Sequence, residues 1–399
     1  MDALFHKSNR TALLKSLNTG ALVIIAGYGE MQRMNDNAAP FDQEANFWYL
    51  TGVKQPGWWL VLDGINGTEW LVAPDLTDTQ QIFEGGIDEG SISDTSGIKT
   101  ILSRDEAMRR IRELVKHHSI VYTSEQPHWL REHPTMQLNT AQSELKKVLE
   151  RIFDKVDTCN KELAVLRSIK WPEEVQAIQR AIDLTITAIK SVRDDLKSGR
   201  YEYELDAKMT YEIQRQGARH AYDPIVASGM NACTLHYIAN SSKLQNKSLV
   251  LFDIGARVDG YAADISRTYA IGTPTKRQVA VHTAVRNAQK ECIGLMKPGL
   301  SFQEYEERCE VIMKQALQSI GLSVEKYRDY FPHAMGHSLG IDVHDPMAGS
   351  SMFQPGMVMT VEPGIYIPEE AIGVRIEDDV LITDTGYRVL SAKLSTDIG

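Results

Sequence analysis

The sequence predicts an α+β fold in which an α/β N-terminal domain precedes a second, larger domain of mixed strands and helices. Three patterns carry that expectation. Between residues 20 and 130, short apolar runs alternate with helical spacing. From about 141 to 199, helical spacing dominates. After residue 248, acidic residues stand at or near the ends of apolar, strand-like runs. A chain of 399 residues is also long for a single hydrophobic core. We place the domains at 1–160 and 161–399.

The N-terminal stretch MDALFHKSNRTALLKSLNTG has an acid at its second position and no continuous apolar core. It reads as a surface helix rather than an export signal. ALVIIAG (21–27), WWLVLDG (58–64) and TEWLVAP (68–74) read as strands ended by turn residues. DEAMRRIRELVKHH (105–118) places Ala107, Ile111 and Leu114 at helical spacing. Strand–helix alternation of this kind implies a layered α/β domain.

AQSELKKVLERIFDKVDTCNKELAVLRSI keeps helical spacing throughout, until Trp171-Pro172 breaks it. Proline costs ~3 kcal/mol inside a helix but is tolerated in the first turn. PEEVQAIQRAIDLTITAIKSV therefore restarts as a new helix with acids at its positive end. The segment 155–172 is the expected bridge between domains. Further on, SLVLFDIG (248–255), GMVMTVEPG (356–364) and GVRIEDDVLIT (373–383) read as strands, with helices at 203–217, 276–296 and 301–320.

With 53 Asp and Glu against 43 Lys and Arg, the net charge is −10, which excludes a generic nucleic-acid binder. No run of apolar residues is long enough to predict a membrane span. Cys159, Cys233, Cys292 and Cys309 show no paired spacing, as expected of a protein in a reducing cytoplasm.

Two acids in SLVLFDIGARVDGYAADISRTYAI call for a physical account. Asp259-Gly260 is a favoured two-residue hairpin turn. It would pair Val258 with Tyr261 and set Asp253 opposite Ser266. Asp264 would then be a diagonal neighbour on the same face, ~7–8 Å away. Two ionised carboxylates at that range repel, and a divalent cation removes the conflict. For either acid alone, a strand end or a solvated surface is the simpler explanation. Glu362 ends an apolar run before Pro363-Gly364, however, and alternation puts Glu377 on the same face as Arg375 and Asp379. Four such acids together imply a cation site.

The stretch FPHAMGHSLGIDVHD adds His333, His337 and His344. Pro332, Gly336 and Gly340 oppose a regular helix there, and HAMGH lacks the central acid of the helical zinc motif. Oxygen donors with a little imidazole suit Mn²⁺, Fe²⁺, Co²⁺ or Zn²⁺. Four acids and one histidine exceed the needs of one ion, so two ions ~3.5–4 Å apart are expected.

GHSLGIDVHD, FDIGARVDGYAADISRTY, MTVEPGIY and GVRIEDD, in this order and spacing, resemble the aminopeptidase P/prolidase family of metallopeptidases. That family has a pita-bread catalytic fold. The resemblance runs from about 165 to 395 and extends more weakly through FDQEANFWYLTGVKQPGWWLVL in the first domain. It implies metal-dependent hydrolysis of the bond between an N-terminal residue and a following proline. An Xaa-Pro dipeptidase and a non-catalytic pita-bread binding protein are the alternatives.

By this resemblance, Asp253, Asp264, His337, Glu362 and Glu377 hold two divalent ions, Mn²⁺ foremost, with Co²⁺ or Zn²⁺ next. Asp264 and Glu377 bridge the ions, Asp253 holds one, and His337 and Glu362 hold the other. Glu362 is the implied proton carrier. His236 and His344 are implied to orient substrate, and His333, Arg375 and Tyr222 to line its pocket. Peptides with proline in second position are the implied partners, and a homodimer or homotetramer the implied assembly. Trp48, Tyr49, Trp58 and Trp59 could serve such an interface, although burial in the core is the commoner fate. Only PEEAI separates Ile367 from Gly373, shorter than in some aminopeptidase P relatives, which leaves substrate length open.

Overall fold

The computed structural model describes residues 1–132, 136–194, 196–197 and 199–399. The chain forms two units, Met1–Leu166 and Arg167–Gly399. The division lies within the helix Asn160–Ser168, inside the segment expected to bridge the domains.

The first unit is built on a six-stranded sheet. Its order in space is Ile101–Leu102, Thr68–Val72, Trp59–Asp63, Leu22–Ala26, Ile120–Thr123 and Lys155–Thr158. Leu22–Ala26 is buried at every residue, which explains why ALVIIAG is apolar without alternation. The helix Arg104–Leu114 turns Ala107, Ile111 and Leu114 onto the sheet. Trp48, Tyr49 and Trp58 are core residues, and Arg104 stacks 3.7 Å above the Trp59 ring.

Two expectations need correction here. The helix Ala3–Leu17 is not merely a surface helix, because one face buries His6, Asn9, Arg10 and Leu13. Arg10 reaches Glu69 through two bonds of 2.8 and 2.9 Å and also donates to the carbonyls of Leu50 and Ser96. The stretch 141–168 is not continuously helical either. Helices Ala141–Leu149 and Asn160–Ser168 flank the strand Lys155–Thr158, which pairs in parallel with Ile120–Thr123. Four partly exposed residues carry too little local signal, and pairing at the sheet edge decides their state.

In the second unit, Pro172 is the first residue of the helix Pro172–Arg193, followed by Glu173 and Glu174 in its first turn. The strand Ser248–Ile254 lies between Ile225–Ser228 and Ile265–Ile271. Asp259 and Gly260 have φ of +51° and +87°, as the expected hairpin turn requires. The register follows: Val258 faces Tyr261, and Asp253 faces Ser266.

GVRIEDDVLIT, expected as one strand, is two. Ile372–Arg375 pairs with Gly364–Ile367, whereas Asp378–Ile382 pairs with Val358–Val361. The turn at Pro363 sends the partner chain from one ribbon to the other, and the break falls at Ile376–Glu377. The helices Lys276–Leu295 and Phe302–Ser319 cover these ribbons with Val281, Val285, Met313 and Leu317. Among the described residues, no helix is long and apolar enough to cross a membrane.

Burial of His6 makes a pH prediction. Desolvation lowers its imidazole from 6.5 to about 4, only partly opposed by the bond to the Tyr49 carbonyl. Between those values the unfolded chain takes up a proton that the folded chain refuses. Stability should therefore fall as pH drops from 6.5 towards 4, by up to about 3 kcal/mol from this group. Thermal midpoints measured against pH should show a shallower acid loss for His6→Gln; an unchanged slope would remove His6 as its source.

Candidate metal centre

Five side chains from separated segments meet in the second unit. Asp253 stands near the end of Ser248–Ile254, and Asp264 in the two-residue link before Ile265–Ile271. His337 is in the loop after residue 331, Glu362 directly follows Val358–Val361, and Glu377 occupies the break between ribbons. Donor atoms of Asp264, His337 and Glu377 lie within 4.8 Å of one another. His337 Nε2 is 3.5 Å from Asp264 Oδ2 and 3.5 Å from Glu362 Oε1. Asp253 and Asp264 are linked through Tyr222, whose hydroxyl is 2.6 Å from an oxygen of each.

Backbone bonds fix these positions. The amide of Glu377 donates to the Ser266 carbonyl at 3.0 Å, and that of Glu362 to the Met335 carbonyl at 2.9 Å. Thr360 grips the histidine loop twice. Its amide donates to the His337 carbonyl, and its hydroxyl accepts from the His337 amide. Gly336 allows this approach, because a Cβ there would lie 2.1 Å from the Thr360 carbonyl oxygen. His337 Nδ1 lies 3.1 Å from the Ser338 carbonyl. With Nδ1 donating there, Nε2 is the nitrogen that faces the cluster, where it carries a proton beside the bare carboxylates and would give its lone pair to a bound cation.

Farther along the loop, Asp345 is buried between two cations, 2.6 Å from Arg167 Nη2 and 3.1 Å from Lys170 Nζ. Burial alone would raise its carboxyl, but these cations hold it below the usual range. Its backbone amide bonds the Ser338 carbonyl, so the ion cluster anchors the loop on both sides of His344.

The electrostatics demand positive charge. Burial, then Asp264, Glu362 and Asp253, push Glu377 well above the carboxylate range. Burial also lifts Glu362 to about 7, against the pull of His337 and Arg375. Asp253 is raised by burial and Asp264 despite its bond to Arg375. Burial would lower His337, but Asp264 and Glu362 outweigh it and raise the imidazole to about 9. The Tyr222 hydroxyl has one proton and two carboxylates at 2.6 Å, so it satisfies one at a time. Hard oxygen donors and one imidazole, crowded without enough protons or cations, fit divalent ions.

The three residues expected to line the substrate pocket are each held by partners around the cluster. Arg375 is buried, and it donates to Asp253 at 2.5 Å, Ser266 at 2.8 Å and Tyr366 at 3.0 Å. It acts as a countercharge to Asp253. Tyr222 likewise serves the two aspartates. His333 is neutral, lowered to about 4 by burial and then the charge of Arg375. Its Nε2 is 2.9 Å from the Tyr366 hydroxyl and its Nδ1 2.9 Å from the Ala334 carbonyl, so both ring nitrogens are engaged.

The His344 ring packs against that of His337, with centroids 4.0 Å apart and the planes tilted by 33°. His236 is exposed on the loop after the turn Gly229–Cys233, close enough that its charge helps lower both His333 and His344. Sequence reading missed Tyr366 and Thr360, and named Ser266 only as the residue opposite Asp253. Tyr366 was visible only as the alternate residue after Gly364; the hydroxyls of Ser266 and Thr360 carried no local signal.

Gly336→Ala should displace the Thr360 contact and lower metal affinity at least about tenfold, read by calorimetry. Gly386→Ala, at an open position, should leave affinity unchanged. Equal affinities in both variants would refute the packing argument.

Residues 176–384 match Metallopeptidase family M24, and residues 6–122 match Aminopeptidase P, N-terminal domain. The chain is 30% identical over 415 residues to a Xaa-Pro aminopeptidase of Escherichia coli, covering 96% of this chain and 93% of the relative. It superposes on a proline aminopeptidase P II from Yersinia pestis with a TM-score of 0.87 at 30% identity, covering 100% and 98% of the two chains. For a zinc-substituted aminopeptidase P from Escherichia coli in complex with product, the TM-score is 0.88 at 28% identity, covering 100% and 96%. The chain belongs to metallopeptidase family M24, with an aminopeptidase P N-terminal domain and a pita-bread domain.

Proposed function

We propose that this M24 metallopeptidase removes the N-terminal residue from peptides whose second residue is proline. The convergence of Asp253, Asp264, His337, Glu362 and Glu377 beneath three further histidines carries the reading. Asp253, Asp264, His337, Glu362 and Glu377 would together hold the divalent ions. Bound divalent ions supply Lewis acidity and bring the pKa of water from 15.7 towards ~7.

The protein's own groups divide the remaining work. Glu362 Oε1 faces His337, whereas Oε2 faces His333 at 3.6 Å. One oxygen can thus serve as ligand while the other takes a proton from the attacking water and passes it to the departing proline nitrogen. His236 and His344 form no hydrogen bond with protein groups among the described residues, so their nitrogens are available to the scissile carbonyl and its developing oxyanion. Arg375 holds Asp253 and, through Tyr366, the ring of His333. An Xaa-Pro bond is a tertiary amide without N–H, so recognition rests on the carbonyl and the ring.

Manganese suits a site with four carboxylates and one imidazole. We place the enzyme in the cytoplasm, in keeping with its free cysteines. We expect a homodimer or homotetramer in solution, and a monomeric mass would refute that assembly.

Three measurements test the reading. Chelation should abolish hydrolysis of Xaa-Pro-Xaa peptides, and Mn²⁺ should restore it; cleavage of Xaa-Pro dipeptides alone would identify a dipeptidase instead. Glu362→Ala should lose at least about 100-fold in kcat, and near-normal turnover with metal loaded would exclude Glu362 as proton carrier. His344→Ala should lower kcat while metal content stays normal; loss of metal would make it a ligand.

A further inference from the structure

His236 sits on a loop, 228–242, whose regular structure is limited to the turn Gly229–Cys233. One buried carboxylate ties that loop together. Glu202, the first residue of the helix Glu202–Gln214, is fully buried. Its Oε1 accepts from the Ser228 amide at 2.7 Å, the Ser228 hydroxyl at 2.7 Å and Asn231 Nδ2 at 3.0 Å. Its Oε2 accepts from the Tyr237 hydroxyl at 2.9 Å and the Ser242 amide at 2.7 Å. The donors come from the start, the turn, the middle and the end of the loop. The Glu202 amide in turn donates to the Ser242 carbonyl at 3.0 Å.

A buried carboxylate needs this many donors, and the helix N-terminus adds a favourable field. No neutral side chain replaces it. Glutamine would turn an NH₂ group towards at least one backbone amide that now donates at 2.7 Å, and an amide cannot rotate to accept. Tyr237, the neighbour of His236, connects the hub to the site. Its ring packs against the cluster of Ile225, Ala227, Ala232 and Leu251, while its hydroxyl reaches Glu202. Ile225 itself pairs with the ligand-bearing strand opposite Asp253.

We propose that Glu202 is a positioning residue for the reaction, gathering five donors so that the loop holds His236 near His333 and His344, with Tyr237 as the link. The proposal rests on the function proposed above, and specifically on the role given there to His236. Misplacing a group by about 1 Å can cost ~100-fold in rate, so a loosened loop should be visible in kcat.

The test is a double-mutant cycle on the metal-loaded enzyme with an Xaa-Pro-Xaa peptide. Glu202→Gln should lower kcat about tenfold or more in the wild-type background, but less than about threefold in His236→Ala, with metal content unchanged. Equal fold losses in both backgrounds, or wild-type kcat for Glu202→Gln, would overturn the proposal. If Glu202→Gln does not fold, Tyr237→Phe decides. It keeps the ring and removes one donor, and its kcat loss should likewise shrink when His236 is absent. Unchanged kcat in Tyr237→Phe would then overturn the link. Failure of the wild type to cleave any Xaa-Pro substrate, or wild-type kcat in His236→Ala, would instead sink the functional reading beneath it.

Discussion

Mutual repulsion among clustered carboxylates is the constraint on which the second unit depends. Asp264 and Glu377 are buried together beside His337, Glu362 approaches on the other side of that imidazole, and Asp253 is joined to Asp264 through Tyr222. Arg375 offsets Asp253, and the single proton of Tyr222 serves one aspartate at a time. His337 is drawn towards protonation by the acids beside it. Left to themselves, such groups would separate or take up protons. A rigid frame of strands keeps them in place, and divalent charge relieves the strain.

That frame works at its irregular points. Asp253 takes its direction from a strand paired on both sides, whereas the other four lie outside regular strands. The five stand near a strand end, in a short link between strands, in a loop, after a strand and at a strand break. Backbone bonds then connect the irregular points to one another, from Glu377 to Ser266 and from Glu362 to Met335. A side-chain chain runs from Arg375 through Tyr366 to His333 and ends on the Ala334 carbonyl. The site is therefore a network whose members restrain each other, and replacement of a supporting group such as Arg375 is felt at more than one ligand.

Much of this was legible in the chain. Asp259-Gly260 sets a hairpin register by local chemistry, and that register alone placed Asp253 opposite Ser266. Residues whose place depends on distant partners were harder to read. Lys155–Thr158 becomes a strand only because Ile120–Thr123 offers an edge, and local spacing there mimics a helix. The break at Ile376–Glu377 follows from a change of partner after Pro363, which alternation within 373–383 cannot reveal. Arg375 and Tyr222, expected near a substrate, both bond Asp253, a support that no local pattern signals. The choice of His337 among three neighbouring histidines came from family resemblance; spacing alone left it open.

The ion cluster under the histidine loop has a consequence for where the catalytic unit starts. The M24 match begins at residue 176, but Arg167 and Lys170, which neutralise Asp345, precede it. A fragment excised at the homology boundary would leave an acid sealed in the interior without its partners, a defect worth about 3–5 kcal/mol. The family match thus marks a shorter segment than the one that keeps Asp345 neutralised, and the last turn of the helix Asn160–Ser168 is part of the enzyme's electrostatic interior rather than its tether.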